Sequence, residues 1–281
     1  MAVARPRVLV AFLIYRSVRW LDFVVNGIQK SNFPIAGSRS VDILAVPNDA
    51  APEVIRACGR LHSRGSIDGV LDHRSENPDE YVMARIYRAW NAAVQWAEAG
   101  GYEFVVLMNS DMIGRPGWVD ELIDAKLTDE GLLPTCRLIE SERLIAPEEG
   151  ARGRGVVSSS IANHGGRLRS AMPETVHDLG SRPEDFDWFR FVVIASELYD
   201  RVSKGLDKPI EPGKLFMPVL LRPREWRAVG GYPIQAPADP LAADAVFFRA
   251  LHEKLGLVHA TVNRSIAYHF QVGESCDVLD G

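Results

Sequence analysis

The residues best placed for chemistry follow an apolar run: Val105-Val106-Leu107-Met108 leads directly into Asn109-Ser110-Asp111. A strand that ends this way delivers polar groups where open α/β sheets bind ligands, beyond the carboxyl ends of strands. Loops there carry polarity without disturbing the core. A carboxylate such as Asp111 can hold Mg²⁺ or Mn²⁺ at that place, since hard cations take oxygen ligands and bridge to phosphate oxygens. The competing reading is a turn before the next helix, and spacing alone favours it. His269 sits in Tyr268-His269-Phe270, and a lone histidine among aromatics is most often a hydrogen-bonded core residue. Cys58, Cys136 and Cys276 are widely separated and lack CxxC or Cys/His spacing. They point to neither zinc nor a disulfide framework, and fit a reducing compartment.

An alternation of strand-like and helix-like stretches positions these groups, as a mainly parallel sheet flanked by helices requires. The pattern predicts strands over Val8–Ile14, Val41–Val46, Gly69–Leu71 and Phe104–Met108. Leu21, Val24, Val25 and Ile28 recur at i, i+3, i+4 and i+7, one apolar helix face. Pro52–Leu61 reads as a short helix begun at Asp49 or Pro52. A long helix is expected over Asp79–Ala97, closed by Gly100 and Gly101. Another runs from Trp118 to Leu127 behind Pro116-Gly117. In the second half, strands are expected over Val156–Ala162, Phe216–Leu221, Leu257–Val262 and Ile266–Phe270, and helices over Phe186–Val202 and Leu241–Leu255.

With 281 residues, 47% hydrophobic and 25% charged, the chain is expected to form one domain with an embellished second half. Its net charge of -5 argues against an overall field that collects nucleic acid or anionic membrane. The basic cluster Arg152, Arg154, Arg167 and Arg169 reads as a solvated loop or as a contact for an anionic acceptor. Val8–Ile14 is too short to span a membrane, and no cleavage signal follows it. A cytoplasmic protein is expected, with peripheral membrane attachment left open.

Leu107-Met108-Asn109-Ser110-Asp111, with Pro116-Gly117-Trp118 behind it, resembles the Asp-x-Asp region of GT-A glycosyltransferases. The resemblance is closest to the rhamnosyltransferase-like branch of the inverting family 2. Val8–Ile14 followed by Tyr15-Arg16 is similar to the first strand and its uridine-contacting end, with Arg16 where the family usually has Asn. Val46-Pro47-Asn48-Asp49 resembles the second-strand end, Arg88-Ala89-Trp90-Asn91 the Arg-Ala-x-Asn segment, and Gly155-Val156-Val157 with Gly166-Arg167-Leu168 the later strand and turn. The run from Leu220 to Tyr232 is similar to the acceptor-side segment, whereas Thr175 to Lys214 has no counterpart.

The resemblance implies a GT-A type, Rossmann-like, mostly parallel sheet flanked by helices, spanning 1–281. Residues 1–130 would form the nucleotide-sugar-binding half and 131–281 the acceptor-binding half. Tyr15, Asn48, Asp49, Arg88, Asn109 and Asp111 would bind the donor, a UDP- or dTDP-sugar. Asp111 and His269 would hold Mn²⁺ or Mg²⁺, and Asp244 would act as the base that makes the reaction inverting. The run around Asp244 keeps only one carboxylate, and its spacing to Arg249 is shifted by one residue, which leaves Asp239 as a rival. The acceptor ranges over a glycan, lipid-linked sugar, metabolite, protein or modified nucleobase. Two other functions compete. A sugar nucleotidyltransferase should carry a Gly-rich loop after the first strand, where Tyr15 to Trp20 contains no glycine. A non-catalytic nucleotide-sugar or carbohydrate-binding protein on the same fold is the other, disfavoured by Asp49, Asp111, Asp244 and His269 occurring together.

Overall fold

Strand β1 (Val8–Ile14) is buried along its whole length, and its side chains divide between two cores with the period of two that a strand imposes. Val8, Val10, Phe12 and Ile14 enter one apolar cluster, and Leu9, Ala11 and Leu13 enter another. A strand coated on both faces needs helices on both. Helices α1 (Val18–Ser31) and α2 (Pro52–Ser63) supply the first cluster, and α3 (Val82–Ala99) supplies the second.

The computed structural model describes residues 6–31, 41–77, 79–140, 177, 179, 180, 182–213, 215–236, 238 and 242–270. Around β1 lie β2 (Asp42–Pro47), β3 (Gly69–Val70) and β4 (Phe104–Asn109), all parallel. The sheet continues through β8 (Val219–Leu221), β6 (Leu132–Glu140), β9 (Val258–His269) and β5 (Met112–Gly114), with β7 (Ile210–Pro212) pairing β9. β8 is antiparallel to both β4 and β6, and β9 is parallel to β6, so β6 and β9 run with the first four strands. The sheet is thus mostly parallel, with β5, β7 and β8 reversed. Helices α4 (Trp118–Thr128), α5 (Trp188–Ser203), α6 (Pro223–Val229) and α7 (Ala243–Leu255) complete the described fold.

Several elements depart from expectation. β8 starts at Val219 and not Phe216, after Pro218, which has no N–H to give to a ladder. The two expected strands at 257–270 are one, β9, whose pairing with β6 shifts register between Cys136 and Arg137. Within its buried polar middle, Ser265 Oγ donates to the Trp118 carbonyl at 2.8 Å and Asn263 Nδ2 to that of Lys208 at 2.8 Å, while Asn263 Oδ1 meets no partner among the described residues. α3 begins at Val82 rather than Asp79, whereas α2 begins at Pro52, one of its two expected entries, with no side-chain cap from Asp49. β5, β6, β7 and α6 had no forecast. Val156–Ala162, the arginine cluster at 152–169, the 155–168 family segments, Asp239 and Cys276 lie outside the described residues. Among those described, no helix is long and apolar enough to cross a membrane.

Candidate active site

Registers Leu13↔Asn109 and Ile14↔Pro47 bring the carboxyl ends of β1, β2 and β4 level with one another. They open on a cleft of about 260 Å³. From β1 and just beyond it come Leu13, Ile14 and Tyr15; from the end of β2, Asn48; from β4 and its exit, Asn109, Ser110 and Asp111. The remaining wall is the first turn of α3, which presents Val82, Arg85 and Ile86 at i, i+3 and i+4. A wider, shallow depression of about 470 Å³ lies on exposed α2, lined by Arg56, Gly59, Arg60, Ser63 and Arg64. It holds no carboxylate and sits on no strand end.

Behind the β2 wall, Asp49 and Asn48 are held by neighbouring polar groups. Asp49 stands at φ 50°, a left-handed conformation that aspartate tolerates better than most residues. Its Oδ1 accepts from the Ser75 N–H at 2.7 Å, and its Oδ2 pairs with Arg85 at 3.1 Å, both side chains being 18% exposed. Next to it, Asn48 Oδ1 meets His73 Nδ1 at 3.0 Å. Burial lowers the His73 pKa below the ordinary imidazole value, and the Asp49 charge offsets part of that shift. Arg88 does not line the cleft. It grips Glu80 through Nε and Nη2 at 2.9–3.1 Å, and that hydrogen-bonded pairing raises its pKa and lowers that of Glu80. The α3 arginine in the cleft wall is Arg85, three residues earlier, whose Nε is buried with no partner among the described residues.

On the β4 side, Asp111 and His269 are brought together by the sheet. The Asp111 carbonyl accepts from the Phe270 N–H at 3.0 Å, and Met112 of β5 pairs with His269 of β9. This seats His269 Nε2 at 3.4 Å from Asp111 Oδ2. Tyr268 and Phe270, on either side of the histidine in sequence, point into the aromatic core with Phe186, while His269 is left partly exposed. Asp111 is nearly buried, and its Oδ1 has no hydrogen-bond partner among the described residues.

A buried carboxylate oxygen without a donor is costly unless a cation or ligand meets it. Adjacent ligands of a small octahedral cation stand about 3 Å apart, and the Asp111–His269 spacing of 3.4 Å is close to that. The pair therefore fits a hard divalent cation as two of its ligands. The described residues contain no cluster of three or more such side chains, so oxygens of a bound ligand or water would complete the shell.

Asp244 lies in the first turn of α7 and is not part of the cleft lining. Its Oδ1 accepts from the Ala245 N–H at 2.8 Å. Burial raises its pKa above the usual carboxylate value, against the smaller opposing effect of backbone hydrogen bonds. Tyr87 and Tyr232 are its titratable neighbours, and burial pushes both phenols upward. Sequence reasoning missed Arg85 and His73. Arg85 carried one usable signal, its place one helical turn after Val82 on the same face; His73 carried none.

Neither a protein-family model nor a curated protein matches the chain. Among solved structures it is similar to the mannosyltransferase PcManGT from Pyrobaculum calidifontis in complex with GDP-Man and Mn²⁺. The TM-score is 0.55 at 14% identity, covering 94% of this chain and 57% of that one. It is also similar to S. aureus TarS, with TM-score 0.52 at 14% identity, covering 94% of this chain and 36% of that one. A structure of TarS 1-349 in complex with UDP gives 0.50 at 13% identity, over 93% and 60% of the two chains. The chain thus spans less than two thirds of each of these neighbours. The α/β fold of GT-A type, with a mostly parallel central sheet flanked by helices, is the fold observed and is shared with these proteins.

Proposed function

We propose that the protein is a glycosyltransferase that moves a sugar from a nucleoside-diphosphate donor, UDP- or dTDP-linked, to an acceptor hydroxyl with inversion. The observation that carries this reading is the unsatisfied Oδ1 of Asp111 at the carboxyl end of β4, beside His269 and in the cleft. The shared fold adds support, since one neighbour was solved with GDP-Man and Mn²⁺ and another with UDP.

Tyr15, Asn48 and Asp49 stand on the side of the cleft that would receive the nucleoside. Arg85, fixed by Asp49, is the cation suited to the diphosphate, in place of Arg88, which the resemblance put among the donor-binding residues. Asn109 and Asp111 face the opposite side, and Asp111 with His269 would hold Mn²⁺ or Mg²⁺. Such a cation, when bound, neutralises charge on a departing diphosphate. Asp244, with its raised proton affinity, is suited to take the proton from the attacking hydroxyl. A cytoplasmic location, free or peripheral to a membrane, completes the reading.

Thermal unfolding in the presence of UDP, dTDP or GDP, each with Mn²⁺ or with EDTA, tests the reading. A ligand bound only by the folded state raises the melting temperature by mass action. A rise with diphosphate and Mn²⁺ together, absent with either alone, is expected. No rise with any of the three diphosphates would refute it.

A further inference from the structure

We infer that Asn91 is a positioning residue: it fastens the Gly230-Gly231-Tyr232 turn so that the start of α7, with Asp244, is held against α3. The inference rests on the role proposed above for Asp244. Asn91 projects from α3, the helix that carries Arg85 to the cleft. Its amide makes three hydrogen bonds across a separation of more than 130 residues. Nδ2 donates to the Tyr232 carbonyl at 2.9 Å, and Oδ1 accepts from the Tyr232 N–H and the Trp226 indole N–H, each at 2.8 Å. The first two reproduce the paired bonds of a strand neighbour, so a single side chain grips the backbone of a single residue.

That grip dictates what stands beside it. Gly231 lies at φ 81°, and a Cβ there would come within 2.6 Å of Asn91 Oδ1 and 2.7 Å of Trp226 Nε1. Only glycine admits so close an approach at that backbone angle. Held in this way, the Tyr232 ring stacks on Phe247 at 3.9 Å and on Tyr87 at 5.5 Å. Phe247 is three residues after Asp244 on α7, and Tyr87 is four residues before Asn91 on α3. Asp244 also stands near the Tyr87 phenol, whose pKa is raised first by burial and then by the Asp244 charge. Asn91, Tyr232 and Phe247 thus form one continuous connection from the cleft helix to the helix that carries Asp244. Displacing a reacting group by about 1 Å can cost on the order of 100-fold in rate, which gives such a connection a functional weight beyond stability.

The test compares Asn91→Ala, Asn91→Asp and Asp244→Asn with wild type. Mn²⁺-dependent hydrolysis of UDP-glucose is read as UDP release, and UDP affinity is read by calorimetry. Asn91→Ala should lower turnover roughly 10- to 100-fold while UDP affinity stays within about threefold, and Asn91→Asp, which keeps the acceptor oxygens, should lose less. A second readout needs no turnover. Asp244→Asn removes a buried carboxylate and should raise the melting temperature at pH 7; the gain should shrink in the Asn91→Ala background, where the carboxylate is freed to water. Should Asn91→Ala not fold, Asn91→Asp supplies both readouts. Equal gains in both backgrounds, or turnover within twofold of wild type, would overturn the inference. If Asp244→Asn itself keeps normal turnover, the assignment of the base fails instead, and the coupled melting temperatures still decide whether Asn91 holds Asp244.

Discussion

Asp49 and Asp111 close two strands of one sheet, yet the structure treats their carboxylates in opposite ways. Asp49 has one oxygen on the Ser75 N–H and the other on Arg85. Asp111 has one oxygen near His269 and the other on nothing among the described residues. A carboxylate whose acceptor capacity is used by the protein shapes its surroundings and contributes to stability. One left with unused capacity in a buried place costs stability, and the cost is recovered only when a ligand arrives. The two sides of the cleft are therefore built for different purposes: the β2 side is preorganised, and the β4 side is receptive.

Substitutions should separate the two sides. The largest effect is expected from Asp111→Ala, which should abolish the Mn²⁺ dependence of diphosphate binding and lower turnover by roughly 10²–10³-fold, the several kcal/mol that a bound cation supplies. Its melting temperature without ligand should stay level or rise. Calorimetry that finds equal UDP affinity for wild type and variant in Mn²⁺ would remove Asp111 from the metal site. His269→Ala should follow the same pattern more weakly, by about 10- to 100-fold, with an unchanged circular dichroism spectrum. A loss of folded signal in step with activity would return His269 to a core role.

On the other side of the cleft, Asp49→Asn should act mainly on stability. The substituted amide still offers an oxygen to the Ser75 N–H but leaves Arg85 without its counter-charge. Exposed ion pairs contribute about 0.2–1 kcal/mol and breaking buried ones costs about 3–5; this pair is mostly but not wholly buried, so about 1–2 kcal/mol is expected. Mn²⁺ dependence should persist. A variant that kept its melting temperature but lost Mn²⁺ dependence would erase the contrast between the two carboxylates.

The same contrast explains what could be read from the sequence. Continuous apolar runs made β1, β2 and β4 legible, and helical spacing of apolar residues did the same for the long helices between them. The end of β4 followed, and with it Asn109 and Asp111; the family resemblance added Tyr15 and Asn48, and all four line the cleft. Legibility fell where the second half buries polar residues with internal partners. β6 contains Pro134, Thr135 and Arg137, and β9 contains Asn263, Arg264 and Ser265, so neither shows a clean period. The meeting of Asp111 with His269 depends on the β5–β9 pairing between residues about 150 apart in sequence, which no local pattern announces; there the family resemblance named the residue, and the sheet supplies the proximity. Arg85 and Arg88 share one helix, and only the contact of Arg88 with Glu80 tells which of them the cleft receives.

The smallest expected effect concerns pH and the preorganised side. Burial lowers the His73 pKa from 6.5, and burial likewise lowers that of His259, whose ring packs against Phe216 and Phe248. For a histidine with a depressed folded pKa, the unfolded chain takes up its proton first as pH falls. Stability from these two groups is therefore full above about pH 6.5 and declines below it, until the folded pKa is passed. Asp244 has the opposite sign: its folded pKa lies above 3.8, so its burial costs more stability as pH rises through that interval. Melting temperatures are compared between about pH 7.5 and 5.5, the span in which an ordinary histidine takes up its proton. His73→Gln keeps a donor for Asn48 and removes the titration, so its melting temperature should fall less than that of wild type over that span. Superimposable profiles for wild type and His73→Gln would show that the His73 proton is not excluded by folding, and the β2 side would lose part of its claim to be preorganised.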